Sequence, residues 1–171
     1  TSPYRRQQLQ QFGYEFGVFS PAVDEVCNEK ELPVNFALRM AEAKASAVAK
    51  LFPQAWVIGA DQVCEFEGNI ISKPGNHANA VHQLSSFSGK AVLFHSAISV
   101  VHLSSGLNVS SNTVTSVHFK DLSKSNTDAY LKAHQPYHCA GAFKIESQGL
   151  RLMESVESKD PSALVGLPLI A

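Results

Sequence analysis

The sequence predicts a single domain of the α/β class, and three observations carry that expectation. Its 171 residues suit one domain of ordinary size. Its 44% apolar content is enough for a real core and too high for a disordered chain. Segments with helical spacing alternate with β-rich runs, and no repeat, low-complexity stretch or linker divides residues 1–171.

The elements follow in order. Ser2-Pro3 reads as a cap and a first-turn proline, opening a helix that runs to about Phe12 and stops at Gly13. Arg5 and Arg6 stand at its start, where the helix dipole disfavours cations unless an anion is bound there. Two solvated arginines are the plainer alternative, but cap, proline and arginines together favour a phosphate site. From Leu32-Pro33 to about Leu51 an alanine-rich helix places Val34, Leu38, Ala41, Ala45 and Val48 at helical spacing. Lys44 lies at the edge of its core face, so the ammonium either snorkels to solvent or points into a cleft, and position alone favours snorkelling.

Trp56 to Cys64 is an apolar strand interrupted by Asp61. Glu67-Gly68-Asn69 turns it back into Ile70-Ile71, followed by Ser72-Lys73-Pro74. A third helix spans about His77 to Phe87 and ends at Ser88-Gly89. Two β-rich runs, 91–103 and 107–119, form an antiparallel pair joined at Ser104-Ser105-Gly106, with one solvated face expected. Asp121-Leu122-Ser123 caps a short helix through Tyr130 and Leu131. The stretches Cys139–Glu146 and Leu150–Glu154 read as further strands, and Leu164–Leu169 opens a last element.

Composition narrows the function. With 14 basic and 15 acidic residues and a net charge of -1, no basic footprint exists for a nucleic-acid polymer. Cys27, Cys64 and Cys139 are too few and too scattered for a disulfide framework, so a reducing, cytoplasmic location is expected. Neither a membrane span nor a signal peptide is expected. The seven histidines match no zinc spacing. There is no Walker loop, GxGxxG or HExxH, and no nucleophile motif. What remains is a set of acids, Asp24, Glu25 and Asp61, and of cations, Arg5, Arg6, Lys44, Lys73 and Lys144. Such a set suits a divalent metal with oxygen ligands and a phosphate chain whose charge is neutralised as the leaving group departs.

Taken in order, Ser2-Pro3-Tyr4-Arg5-Arg6 (preceded by Thr1), Asp24-Glu25, Leu38 to Ala45, Ile58-Gly59-Ala60-Asp61-Gln62-Val63, Ser72-Lys73-Pro74, Ser88-Gly89, Cys139-Ala140-Gly141 and Val165-Gly166-Leu167-Pro168-Leu169 resemble the Maf family of nucleoside triphosphate pyrophosphatases. Each motif alone is weak, and the ordered set spans nearly the whole chain. The resemblance implies a Maf/ITPase-like fold, in which a mixed, strongly twisted sheet is flanked by helices and two lobes surround a nucleotide cleft. It also implies a homodimer and hydrolysis of a nucleotide to its monophosphate and pyrophosphate. By position, Asp61 is the proton acceptor. Glu25 and Asp61 are the ligands of a divalent cation, magnesium or manganese. Ser2, Arg5, Lys44 and Lys73 hold the phosphates, with Arg6 a weaker member.

Tyr4, Gln62 and Glu146 fall at the positions that separate subgroups, and resemble the subgroup cleaving 7-methyl-GTP and related methylated nucleotides. Guanine presents two N–H donors on one edge, which a carboxylate such as Glu146 accepts together. Methylation at N7 adds a positive charge that stacks on Tyr4, worth about 0.5 to 2 kcal/mol. The alternatives are dTTP/UTP cleavage, disfavoured by the same three residues, and a non-catalytic nucleotide-binding regulator of septum formation. Ser72, Leu93, Ser96, Ala97, Ser158, Ser162 and Ala163 depart from the family pattern. The abrupt start at Thr1 carries the expectation of a native chain with a preceding first strand and a further final helix.

Overall fold

The computed structural model describes residues 2–171, and Thr1 lies outside the described residues. Helix α1 (Pro3–Gln10) is capped by Ser2, whose extended backbone lets Oγ accept the Arg5 N–H at 3.4 Å. Helix α2 (Pro33–Ala49) follows a long irregular segment and is opened by Pro33. Strand β1 (Val57–Phe66) turns into β2 (Asn69–Ile71) through Glu67 and Gly68, both at positive φ, the conformation a two-residue hairpin needs to match strand twist. Helix α3 (His77–Phe87) is capped by Asn76, whose side chain accepts the Asn79 N–H at 2.9 Å. Strands β3 (Ala91–His102) and β4 (Leu107–Phe119) form the long hairpin, and α4 (Lys124–His134) is capped by Ser123. Strand β5 (Met153–Ser158) completes a sheet ordered β2-β1-β3-β4-β5.

The α/β class is as expected, with one correction. The sheet expected to be mixed is antiparallel at every described pairing. The reason is connectivity: the two hairpins and the α4 connection each reverse the chain, while α3 carries it from β2 to β3 in the same direction but to opposite sides of β1, so that parallel pair is never hydrogen-bonded. The strand expected over Cys139–Glu146 does not form, and the one expected from Leu150 starts three residues late. Ala140–Ala142 and Gly149–Leu152 are 3-10 turns, because Gly141, Ala142 and Gln148 adopt positive φ, which breaks an extended run. Strand structure begins only at Met153.

Strand register separates two cores. Residues Val57, Gly59, Asp61 and Val63 point to one face of β1, opposite Val101, Ser99, Ala97 and His95 of β3. Helix α2 covers this face. Its Ala37, Ala41, Ala45 and Ala49 recur one turn apart and are wholly buried. Cys64 and Phe66 point the other way, into a larger core with Leu84, Phe87, Phe94 and Phe119, closed by α3 and α4. The β3–β4 pair therefore lacks a fully solvated face, since different helices cover opposite faces of the sheet. Because β2 pairs only with Cys64–Phe66, the outer edge of β1 from Val57 to Val63 has no strand partner among the described residues.

Gly59 sets how closely α2 can lie. A Cβ there would collide with the Ala41 carbonyl and stand 2.6 Å from the Ala45 nitrogen, both backbone atoms that cannot swing aside. Gly59→Ala is expected to destabilise the fold by about 3 kcal/mol, read from the midpoint of chemical denaturation. An unchanged midpoint would show that α2 does not rest on this contact.

Candidate active site

The close seating of α2 on Gly59 determines where Lys44 reaches. Lys44 precedes Ala45 on the helix, and Asp61 lies two residues beyond Gly59 on the same face of β1. The ammonium ends 2.7 Å from Asp61 Oδ1 and 2.6 Å from Glu25 Oε1, so one cation joins two carboxylates. Lys44 does not snorkel: its side chain is only 18% exposed and that of Asp61 15%, whereas Glu25, on the irregular segment, is 54% exposed. The Lys44 hydrogen bond, opposed by partial burial, holds the Glu25 carboxyl below its ordinary range, and the charges of Lys44, Lys73 and Arg5 add to the effect. Lys73, exposed in the loop after β2, and Arg5 thus lie within electrostatic reach of the same carboxylate. Asp24, next to Glu25, is exposed.

Arg5 differs from the expectation of a free phosphate ligand. Its Nε donates to the Gly166 carbonyl and its Nη1 to the Ala60 carbonyl, both at 2.8 Å. Part of the guanidinium therefore ties α1 to the unpaired edge of β1 and to the C-terminal turn, and its other N–H groups remain for a ligand. Burial lowers the Arg5 pKa, while Asp61 and Glu25 oppose that shift. Gly166 has φ 125°, which side-chain-bearing residues rarely adopt, and a Cβ would press on Arg5 Nε at 3.2 Å. Gln8, buried on α1, supports the same tie by donating to the Ser162 carbonyl at 2.8 Å. Ser2 acts as the helix cap. Arg6 is exposed and forms no side-chain hydrogen bond or ion pair among the described residues.

Gln62 points to the face opposite Asp61. Its Nε2 lies 3.0 Å from Ser96 Oγ, 3.1 Å from the Ala163 carbonyl and 3.2 Å from the Leu164 carbonyl. Tyr4 and Glu146 both lie within electrostatic reach of Tyr130. That phenol is pushed up to about 12 by burial, against the opposing Lys144 N–H bond, with Cys139, Glu146 and Tyr4 adding to the rise. Lys144 donates its backbone N–H to Tyr130 at 2.9 Å and its Nζ to the His134 carbonyl at 3.3 Å, so it serves this wall and not the Lys44 cluster. Burial raises the Cys139 thiol pKa, Lys144 and Lys73 oppose that rise, and Glu146 adds to it, which places Lys73 within reach of both the carboxylate cluster and the Tyr130 wall. No hydrogen bond joins Tyr4, Gln62 and Glu146 to one another among the described residues.

Sequence reasoning missed the residues that hold this arrangement: Gln8, Tyr130 and the turn opened by Asp160-Pro161-Ser162. The only local signal was that last triplet, a turn-forming combination. A separate cavity of about 230 Å³, lined by Thr115, Ile145, Leu150, Val156 and Leu164 among others, has no charged wall and does not suit a polyanion. Among the described residues no three His, Cys, Asp or Glu side chains gather to hold a metal by themselves. Glu25 and Asp61 are nonetheless two hard oxygen donors on one shared cation, and magnesium is commonly held by one or two carboxylates together with substrate phosphates.

Comparison with known proteins agrees with the sequence motifs. A family described as "Maf-like protein" matches residues 1–171. A protein of Albidiferax ferrireducens named 7-methyl-GTP pyrophosphatase is 46% identical over 99% of this chain and 85% of its own length. Proteins of the same name from Polaromonas sp. and Paraburkholderia xenovorans are 48% and 47% identical, over 99% and 100% of this chain and 78% and 85% of their own lengths.

Removing the shared cation tests the electrostatics. In Lys44→Met the Glu25 and Asp61 carboxylates face each other unpaired, and the Glu25 titration is expected to move back up, read by carboxyl carbon NMR. Glu25 has a depressed folded pKa, so its contribution to stability is present above the ordinary carboxylate range and is lost as pH falls through the folded value. Wild type should therefore lose more stability than Lys44→Met between about pH 7 and pH 3. Equal losses would remove Lys44 from this role.

Proposed function

The chain belongs to the Maf-like protein family, and on that footing we propose that it is a nucleoside triphosphate pyrophosphatase, a hydrolase of acid anhydrides that converts 7-methyl-GTP and related methylated nucleotides to the monophosphate and pyrophosphate. The observation that supports this reading most is the Asp61–Lys44–Glu25 cluster beside the unpaired edge of β1, with Arg5 and Lys73 in electrostatic reach.

Asp61 Oδ1 is engaged by Lys44, which leaves Oδ2 as the oxygen that takes a proton. In the proposed reaction a water oxygen forms a bond to phosphorus at the α–β anhydride, its proton passes to Asp61, and the bridging P–O bond breaks to release pyrophosphate. Lys44, Lys73 and the free N–H groups of Arg5 compensate the charge that builds on the departing phosphates. Glu25 and Asp61 would hold a divalent cation jointly with the phosphates. Such an ion supplies charge neutralisation and orientation of phosphate oxygens.

Base selection rests on Tyr4, Gln62 and Glu146. A carboxylate accepts both N–H donors of guanine, whereas a uracil or thymine edge sets carbonyl oxygen against it. A cytoplasmic homodimer is the accompanying proposal, and no helix among the described residues is long and apolar enough to cross a membrane.

Pyrophosphate release from 7-methyl-GTP, GTP, UTP and dTTP, with magnesium or manganese, tests the reading. The expected result is a kcat/KM for 7-methyl-GTP at least about tenfold above those for UTP and dTTP. Asp61→Asn should lower kcat by about 10² to 10⁴. Equal turnover of all four nucleotides would overturn the selectivity, and full activity of Asp61→Asn would overturn the mechanism.

A further inference from the structure

The C-terminal turn is built more elaborately than a chain end requires. Asp160 is 2% exposed, and its Oδ1 accepts the Ser162 N–H at 2.9 Å and also the Ser162 hydroxyl, while Oδ2 accepts the Ile170 N–H at 2.7 Å. Ser158 Oγ donates to the Asp160 carbonyl at 2.8 Å and accepts from Thr115 Oγ1 at 2.9 Å, which fastens the turn to β4. Ser162 Oγ accepts the Leu169 N–H at 2.9 Å, its one proton being committed to Asp160 Oδ1. The result is a rigid loop whose Ala163 and Leu164 carbonyls are aimed at Gln62.

Those carbonyls decide which way round the Gln62 amide lies. A carbonyl oxygen only accepts, so the atom facing Ala163 and Leu164 is the nitrogen. Ser96 agrees: its hydroxyl proton goes to the Ala163 carbonyl at 2.7 Å, so toward Gln62 it too presents a lone pair. Three acceptors thus surround Nε2, and turning the amide over would set oxygen against oxygen at both carbonyls and would draw the Ser96 proton away from Ala163. Oε1 has no hydrogen-bond partner among the described residues. Any polar contact that Gln62 offers a ligand is then that of an acceptor.

We propose that Ser96 and Asp160 are positioning residues that lock the Gln62 side chain through the 160–170 turn, so that it presents only Oε1 and selects nucleobases with an N–H donor edge. Neither residue touches the nucleotide. The selective consequence rests on the pyrophosphatase reading, whereas the lock itself does not. An amide free to rotate presents its NH₂ to the O4 of a pyrimidine as readily as its oxygen to a guanine N–H. The locked amide keeps only the oxygen.

The lock is tested in the full chain, labelled with ¹⁵N, by hydrogen exchange of the Gln62 side-chain amide. Slow exchange in wild type, and exchange at least about tenfold faster in Ser96→Ala and Asp160→Asn, is expected. Ser96→Thr keeps the hydroxyl and should retain the slow exchange. Unchanged exchange in both disruptive variants would overturn the lock. Selectivity is read as the ratio of kcat/KM for 7-methyl-GTP to that for UTP. In Ser96→Ala and Asp160→Asn this ratio should fall at least about fivefold, through KM more than kcat, with Ser96→Thr restoring it. A residue needed only for folding would depress both substrates alike, and an unchanged ratio would overturn the selective role. If wild type cleaves neither nucleotide, the pyrophosphatase reading fails, and the exchange result still upholds or overturns the lock.

Discussion

The site depends first on the contact between Gly59 and the alanine ridge of α2. Ala41 and Ala45 approach β1 so closely that a single methyl group at position 59 would meet their backbone. This closeness has a chemical consequence. A helix held farther away by larger side chains would carry the Lys44 ammonium away from Asp61 and Glu25. Small residues on one strand and one helix are therefore what bring a half-buried cation onto two carboxylates, and packing here sets electrostatics.

A second dependence runs through the unpaired edge of β1. The Ala60 carbonyl, which a neighbouring strand would otherwise use, accepts from Arg5, and the same guanidinium holds Gly166. Helix α1, the edge of β1 and the C-terminal turn are joined by one side chain that also lies within reach of Glu25 and Asp61. Gln8 from α1 and Gln62 from β1 bind the same turn. The two faces of β1 thus carry different tasks. Asp61 faces α2 and the charged cluster, and Gln62 faces the turn.

Much of the local architecture was legible. Helix α3 matches its expected bounds because an asparagine cap and Ser88-Gly89 mark its ends. The β3–β4 hairpin does too, since β-branched runs flank a turn with Gly106 at φ 72°. The segment 139–154 was misread because its apolar runs resemble strands, while left-handed Gly141, Ala142 and Gln148 fold it into 3-10 turns against the larger core. Ala142 at positive φ has no sequence signature, and the surrounding packing imposes it. At the site, the carboxylates and lysines were recognisable as a set, but the inward course of Lys44 was not, since helical position alone also permits snorkelling.

The sequence by itself determined the chemical inventory and the local elements: hard oxygen donors, phosphate-binding cations, caps, turns and periodic faces. These follow from side-chain chemistry and from backbone preferences within a few residues. Only the tertiary structure decided which of those groups are already committed. Arg5 shares its guanidinium with a carbonyl 161 positions away, and Gln62 gives its nitrogen to carbonyls 101 and 102 positions away. The physical reason is that a donor or acceptor is used up by whichever partner the fold brings within about 3 Å. That partner has no fixed spacing in the chain.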